Sequence, residues 1–246
     1  MLDDRALVAQ EVSAVLFRGA VWQTLALGFA YPSSVVLEQL KARWSELLNG
    51  SRPWPAGVNH PFQHANRLIL STDGETLEHE YVRLFGPVAR CPLHETAYGD
   101  AGRLLGRSAG LADIAGFYLA FGLHPTTGDP HREDHIGLEL EFMSLLTVKE
   151  AYAMAEGLQE PLEVTRTAQQ RFVQDHLGTW IDALTAQLRL CEPHLFYAAL
   201  GESLGALVRA EVIRLQASPA PVSGPVVDTL MGEDTLQCPY APNSQG

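Results

Sequence analysis

Apolar residues recur at three- and four-residue steps through most of this chain, and no alternating, β-branched run bounded by turn residues interrupts them. That period is the face of an α-helix, whereas strands alternate every second residue. Between Arg166 and Leu190 the face is Val173, Leu177, Trp180, Ile181, Leu184 and Leu188. It resumes with Tyr197, Leu200, Leu204, Leu207 and Val208, where Gly201 and Gly205 sit one turn apart and leave room for a neighbouring helix. A shorter helix carries Leu111, Ile114, Phe117, Tyr118 and Phe121 and should stop at Gly122. Another carries Leu77, Tyr81, Leu84 and Phe85, with Thr72 and Glu75 at capping-box spacing and Gly86-Pro87 at its end. The expected fold class is all-α: one compact helical domain over residues 1–216, with a Pro/Gly loop at 49–61. Residues 217–246 hold five prolines, three glycines and no Lys or Arg, the composition of a loosely docked or disordered tail.

Charge narrows the partners. With 29 acids against 17 bases, the net charge of −12 speaks against a phosphate-binding face for nucleic acid. Residues 129–163 alone carry nine acids against two bases, a density greater than solvation of a helix face requires. Cys91, Cys191 and Cys238 are far apart and form no CxxC pair, so reduced thiols are the simplest account. The start of the chain is acidic, unlike a secretory signal. The apolar run from Val12 to Tyr31 contains Arg18, and a charge at mid-bilayer costs roughly 3 kcal/mol. It is therefore read as a buried core helix, and the protein as cytoplasmic.

No phosphate-binding loop, dinucleotide fingerprint or nucleophile elbow is present. The chain is accordingly read as no enzyme and as needing no cofactor of its own. His131, His135 and Glu139 lie at helical spacing, and a small metal-dependent hydrolase built on them is the alternative reading. The other histidines are scattered, each expected to be hydrogen-bonded or at the surface.

Two stretches stand out together. Tyr81-Val82-Arg83-Leu84-Phe85 leads into Pro92-Leu93-His94-Glu95-Thr96-Ala97-Tyr98-Gly99, polar and aromatic chemistry suited to gripping an extended peptide. Asp134-His135 opens a helix running through Leu138-Glu139-Leu140-Glu141-Phe142-Met143. These residues resemble the TorD/DmsD family of redox-enzyme maturation chaperones, to which the nitrate-reductase assembly chaperones are related. The aromatic-x-x-Leu-Phe motif falls on Tyr81, Leu84 and Phe85, the Glu-x-x-Tyr element on Glu95 and Tyr98, and the acid-His start on Asp134 and His135. Residues 172–180 and Phe196-Tyr197 are similar to the family's C-terminal helices, so the resemblance spans roughly residues 10–215.

That resemblance implies an all-helical cytoplasmic chaperone for the apo catalytic subunit of a molybdoenzyme. It would hold this client, often by a twin-arginine leader peptide, until the molybdenum cofactor is inserted. Asp134 and Glu95 would then accept the client's basic groups, with His135 orienting them, and Tyr81, Leu84, Phe85 and Tyr98 would line an apolar groove. The competing reading makes Leu84 and Phe85 pure core, and for Phe85 it stands at least level. Asp134 reads equally well as a helix cap, in which case Asp134→Asn leaves stability unchanged, since Asn caps as well as Asp.

Overall fold

The structure is a computed structural model that describes residues 2–50, 52–86, 90–99, 104–124 and 133–225; side chains of 2–4 and 104–107 are outside that description. The expected all-α class holds. The helices are α1 (Leu2–Gly28), α2 (Ser34–Asn49), α3 (Asn59–Ser71), α4 (Gly74–Phe85), α5 (Leu104–Phe121), α6 (Ile136–Ala155), α7 (Gln159–Phe172), α8 (Gly178–Leu190) and α9 (Leu195–Leu215). A 3₁₀ turn at Glu95–Ala97 and a π-helical turn at Val173–Leu177 complete the described elements.

Two helices form the centre because they are apolar on nearly every side. Along α6, Leu140, Phe142, Met143 and Leu146 are fully buried, and along α9 so are Leu200, Leu204 and Leu207. Helix α1 lies along α6, while α9 packs on α3 and α8. Close approach depends on small residues. A side chain at Gly28 would meet Leu200 at 2.7 Å, and one at Gly201 would meet Leu188 at 2.8 Å. Gly201 thus does what its spacing suggests, but the space over Gly205 is taken by Arg209 of the same helix.

Several boundaries differ from expectation in instructive ways. Helix α4 is capped by Asp73, whose carboxylate accepts from the Thr76 amide at 2.8 Å, so the Thr72/Glu75 capping box does not form. Gly122, at φ +76, ends α5 where expected. The single helix read between Arg166 and Leu190 is in fact α7 and α8 joined through the π turn. The run from Val12 to Tyr31 is a core helix, with Trp22, Leu25 and Phe29 fully buried. Its Arg18 is buried too, held by Glu150 and Glu211. No helix among the described residues is long and apolar enough to cross a membrane.

The first part of the tail is docked. The Val222 amide donates to the Thr179 carbonyl at 2.9 Å, Gly99 N–H donates to the Ser223 carbonyl at 3.2 Å, and Tyr98 and Pro225 form a short antiparallel bridge. Gly99, at φ +64, has Val222 resting on its α-carbon, where a side chain would collide at 2.8 Å. Residues 226–246, with Cys238, lie outside the described residues.

Candidate functional site

The loop after α4 is tied to the start of α6 by a fragment of antiparallel pairing. Glu95 N–H donates to the Asp134 carbonyl and Ile136 N–H to the Leu93 carbonyl, each at 2.9 Å, with His94 opposite His135. The Asp134 side chain completes the clasp. Its carboxylate accepts from the Thr96 amide at 3.2 Å and the Thr96 hydroxyl at 2.5 Å, and pairs with His94 Nδ1 at 3.1 Å. Burial raises the affinity of this fully enclosed carboxyl for a proton, but His94 and Thr96 outweigh burial and hold its pKa below the ordinary value. Tyr98 closes the loop by donating to the Pro92 carbonyl at 2.8 Å and packs its ring on Trp180.

Asp134 is therefore not the helix cap. The N-cap of α6 is His135, whose Nδ1 accepts from the Gly137 amide at 3.0 Å. The capping argument for a neutral Asp134→Asn therefore does not apply. An amide in place of the carboxylate can still turn its oxygen to the two Thr96 donors, but it loses the charge facing His94 and sets its NH2 against the imidazole.

Below the clasp lies a polar group that the sequence reading did not assemble. The 3₁₀ turn points Glu95 inward, where both its oxygens stand 3.2 Å from His176 Nδ1. The other ring nitrogen of His176 meets Asp113 at 3.2 Å. Glu139, with no exposure at all, accepts from the Trp180 indole at 3.2 Å. Burial, and then the negative charge of Glu95, pushes the Glu139 carboxyl well above the usual carboxylate range. Burial opposes protonation of His176, yet the flanking Glu95 and Asp113 prevail and raise its pKa. Glu139 thus holds its proton while His176 favours its charged form.

The π turn makes this possible. Its extra residue shifts the helix phase so that Val173, His176 and Leu177 all face the interior. Phe117 and Phe172 pack around the imidazole, with ring centres at 5.5 and 5.0 Å.

Of the seven residues singled out by motif, the structure brings Glu95, Tyr98, Asp134 and His135 together around the clasp. Leu84, fully buried, is linked to it through its carbonyl, which accepts from Cys91 N–H at 3.2 Å. Tyr81 and Phe85 belong to a different neighbourhood. Tyr81 donates to the Phe29 carbonyl at 3.1 Å, and its ring meets those of Tyr31, Phe85 and Tyr197. Tyr31, 47% exposed, continues this aromatic group to the surface.

The acidic stretch of residues 129–163 is not one surface patch. Asp134, Glu139 and Glu150 are buried, whereas Glu141, Glu156, Glu160 and Glu163 are exposed. Residues 125–132, including Asp129, His131 and Arg132, lie outside the described residues. For the hydrolase alternative, His135 Nδ1 is engaged as the cap of α6 and Glu139 is enclosed against Trp180. Among the described residues no group of three or more His, Cys, Asp or Glu side chains is arranged to hold a metal.

Residues missed from sequence were His94, Thr96, Asp113, His176 and Trp180. His94 and Thr96 stood inside a quoted motif, and His176 and Trp180 inside the 172–180 stretch. Asp113 carried no signal of its own.

Comparison with known proteins places this arrangement. Residues 51–186 match the family model described as nitrate reductase delta subunit, a span that contains the clasp, the His176 group and α4. The chain is 33% identical over 144 residues to the selenate reductase assembly chaperone protein of Thauera selenatis, covering 57% of this chain and 71% of that one. It is 28% identical over 209 residues to the perchlorate reductase assembly chaperone protein of Dechloromonas aromatica (strain RCB), covering 81% and 89%. To the chlorate reductase assembly chaperone protein of Ideonella dechloratans it is 32% identical over 148 residues, covering 59% and 73%. The chain therefore belongs to the nitrate reductase delta subunit family, within the TorD/DmsD group of molybdoenzyme maturation chaperones.

Proposed function

We propose that this chain is a non-catalytic, cytoplasmic, system-specific chaperone for the catalytic subunit of a molybdenum-containing oxidoreductase. It binds the apo subunit, through its N-terminal leader where the client has one, and holds it for cofactor insertion. The observation that carries this is the kinship with three chaperones, each named for assembly of a different oxyanion reductase.

The geometry supports a division of labour among the motif residues. Asp134, Tyr98 and Leu84 are enclosed, so they act by holding the shape of the 91–99 loop rather than by touching a client surface. Tyr81 and Phe85, half-buried beside exposed Tyr31, supply the apolar contact. Glu95 and exposed Asp113 flank His176 and supply acceptors for client basic groups. Charge-assisted pairing of this kind orients a guanidinium as well as attracting it.

Deletion of the gene should leave the client translated but inactive and lacking molybdenum cofactor. Normal cofactor loading in the deletion strain overturns the reading. Calorimetric titration of the client's N-terminal peptide should show weaker binding on Asp113→Asn with the melting curve unchanged, and on Tyr81→Ala with a lowered melting temperature, since Tyr81 also packs on Phe85 and Tyr197.

A further inference from the structure

A second buried charged group joins α1, α6, α7 and α9 and has the opposite sign. Arg18 of α1 pairs with Glu150 of α6 and, at 3.4 Å, with Glu211 of α9. Arg166 of α7 reaches Glu150 at 2.8 Å, and Arg214 of α9 reaches Glu211 at 2.7 Å. Gln169 bridges them, donating to Glu150 at 3.0 Å and accepting from Arg214 at 2.7 Å. Three guanidiniums thus share two carboxylates, so the group carries one net positive charge although each guanidinium is ion-paired.

The surplus borders open space. A cavity of about 630 Å³ has Arg18, Glu211 and Arg214 in its wall, with Phe17, Trp54 and Ala210 among the residues that form the rest. Arg18 is nine-tenths buried, and its Nε, 3.4 Å from Glu211, makes no hydrogen bond. Arg214 is 30% exposed and so remains reachable. Phe17 and Trp54 stand edge to face with ring centres 4.9 Å apart. Arg214 also lines a second, smaller cavity with Arg166, Thr167 and Gln170. Aromatic walls, apolar lining and a few convergent charged groups are what a small-molecule site presents, and guanidinium favours planar anions.

We propose that this cavity binds a small anion carried on a planar apolar body, a phosphorylated or carboxylated aromatic ring system, with the anion on Arg214 and Arg18 and the ring system against Trp54 and Phe17. A leader peptide with a cationic end does not suit it, which separates this site from the clasp and from client binding.

Trp54 provides the readout. Trp22, Trp44 and Trp180 are fully buried and Trp54 only partly, so a ligand in the cavity should quench Trp54 selectively. Adenosine monophosphate and 2-naphthoate are titrated into the full chain, against adenosine, naphthalene-2-methanol and inorganic phosphate as controls. At least one anionic probe should quench saturably and bind about 10-fold more tightly than its uncharged counterpart. Adenosine monophosphate alone assigns a phosphorylated ligand, naphthoate alone a carboxylated one. Trp54→Phe should abolish the signal. Arg214→Gln should weaken binding about 10-fold. Ala210→Phe, which fills the cavity without touching an ion pair, should block it while the melting curve stays cooperative. No saturable quenching by either anion, equal binding of the uncharged counterparts, or unchanged binding in folded Ala210→Phe would overturn the proposal.

Discussion

Charge enters the described core at two places, and they are balanced in opposite ways. Around the clasp, four carboxyl groups (Glu95, Asp113, Asp134, Glu139) share two imidazoles, His94 and His176. In the arginine group, three guanidiniums share two carboxylates. The first contains two groups whose pKa values are pushed up, His176 and Glu139, and the second is built from guanidiniums that stay charged throughout. The difference teaches that the clasp can change state with pH, whereas the α1–α6–α9 junction is a permanent brace whose loss of a partner cannot be relieved by moving a proton.

The largest effect should come from unbalancing the brace. Glu150→Ala removes a partner from Arg18, Arg166 and Gln169 at once and leaves Arg18 in a low-dielectric interior with one distant carboxylate. A loss of about 3–5 kcal/mol is expected in urea unfolding. Pairing it with Arg18→Met should recover most of that loss, because the isolated buried charge goes too. Failure to recover would mean the ion pair itself stabilises the fold.

Next in size is Asp134→Asn, expected to destabilise by about 1–3 kcal/mol, since the charge facing His94 and the charge-assisted character of the bonds from Thr96 are both lost. A melting curve identical to wild type would show that the clasp tolerates a neutral partner.

The pH response should follow from His176 and Glu139. Both have folded pKa values above their unfolded ones, so the folded chain binds more protons than the unfolded chain. For His176 the stabilisation is complete below about 6.5 and is lost as pH rises through the higher folded value. Glu139 acts in the same direction: above about 4.5 the unfolded carboxyl ionises while the folded one keeps its proton, so stability declines with rising pH. Glu139→Gln, which keeps the shape and removes the ionisation, should raise the melting temperature at pH 8 more than at pH 5. Asp134 runs the other way, its contribution being present above the unfolded value of 3.8 and lost as pH falls below it. A wild-type stability that is flat between pH 5 and 8, with no differential effect of Glu139→Gln, would break the contrast between clasp and brace.

The smallest effect separates the two parts of the tail. Ending the chain at Pro225 should shift stability by less than about 0.5 kcal/mol. Ending it at Gln216 also strips Val222 from Gly99 and removes the hydrogen bonds to Thr179 and from Gly99, and should lower stability by about 1–2 kcal/mol. Comparable losses from both truncations would show that residues 226–246 pack as well.

Much of the fold was legible because helical period reports burial directly: the faces read at Leu77/Leu84 and Trp180/Leu184 are interior. Motif order also drew attention to Glu95, Tyr98, Asp134 and His135, which meet in space although 40 residues separate His94 from Asp134. What stayed hidden has a common cause. Period alone cannot reveal the inserted phase of a π turn, so nothing marked His176 as facing the interior. The brace was hidden for a related reason, since Arg18 looked like an argument against a membrane span and nothing local linked it to Glu150, 132 positions away. The acidic stretch misled in the opposite sense, because charge summed along the sequence counts buried and exposed carboxylates alike.

The π turn also means that the site is specified by chain length as well as by chemistry. Before it, Thr165, Ala168 and Phe172 face the core; after it, Trp180, Ile181, Leu184 and Leu188 do, and the two rows register only because one extra residue intervenes. An α-helix turns about 100° per residue. A single-residue deletion between Val173 and Leu177 would therefore swing every later side chain through that angle, taking Trp180 off Glu139 while leaving the composition of α8 intact. Substitutions can be absorbed along this helix one position at a time, but a change of length is felt by the whole of it.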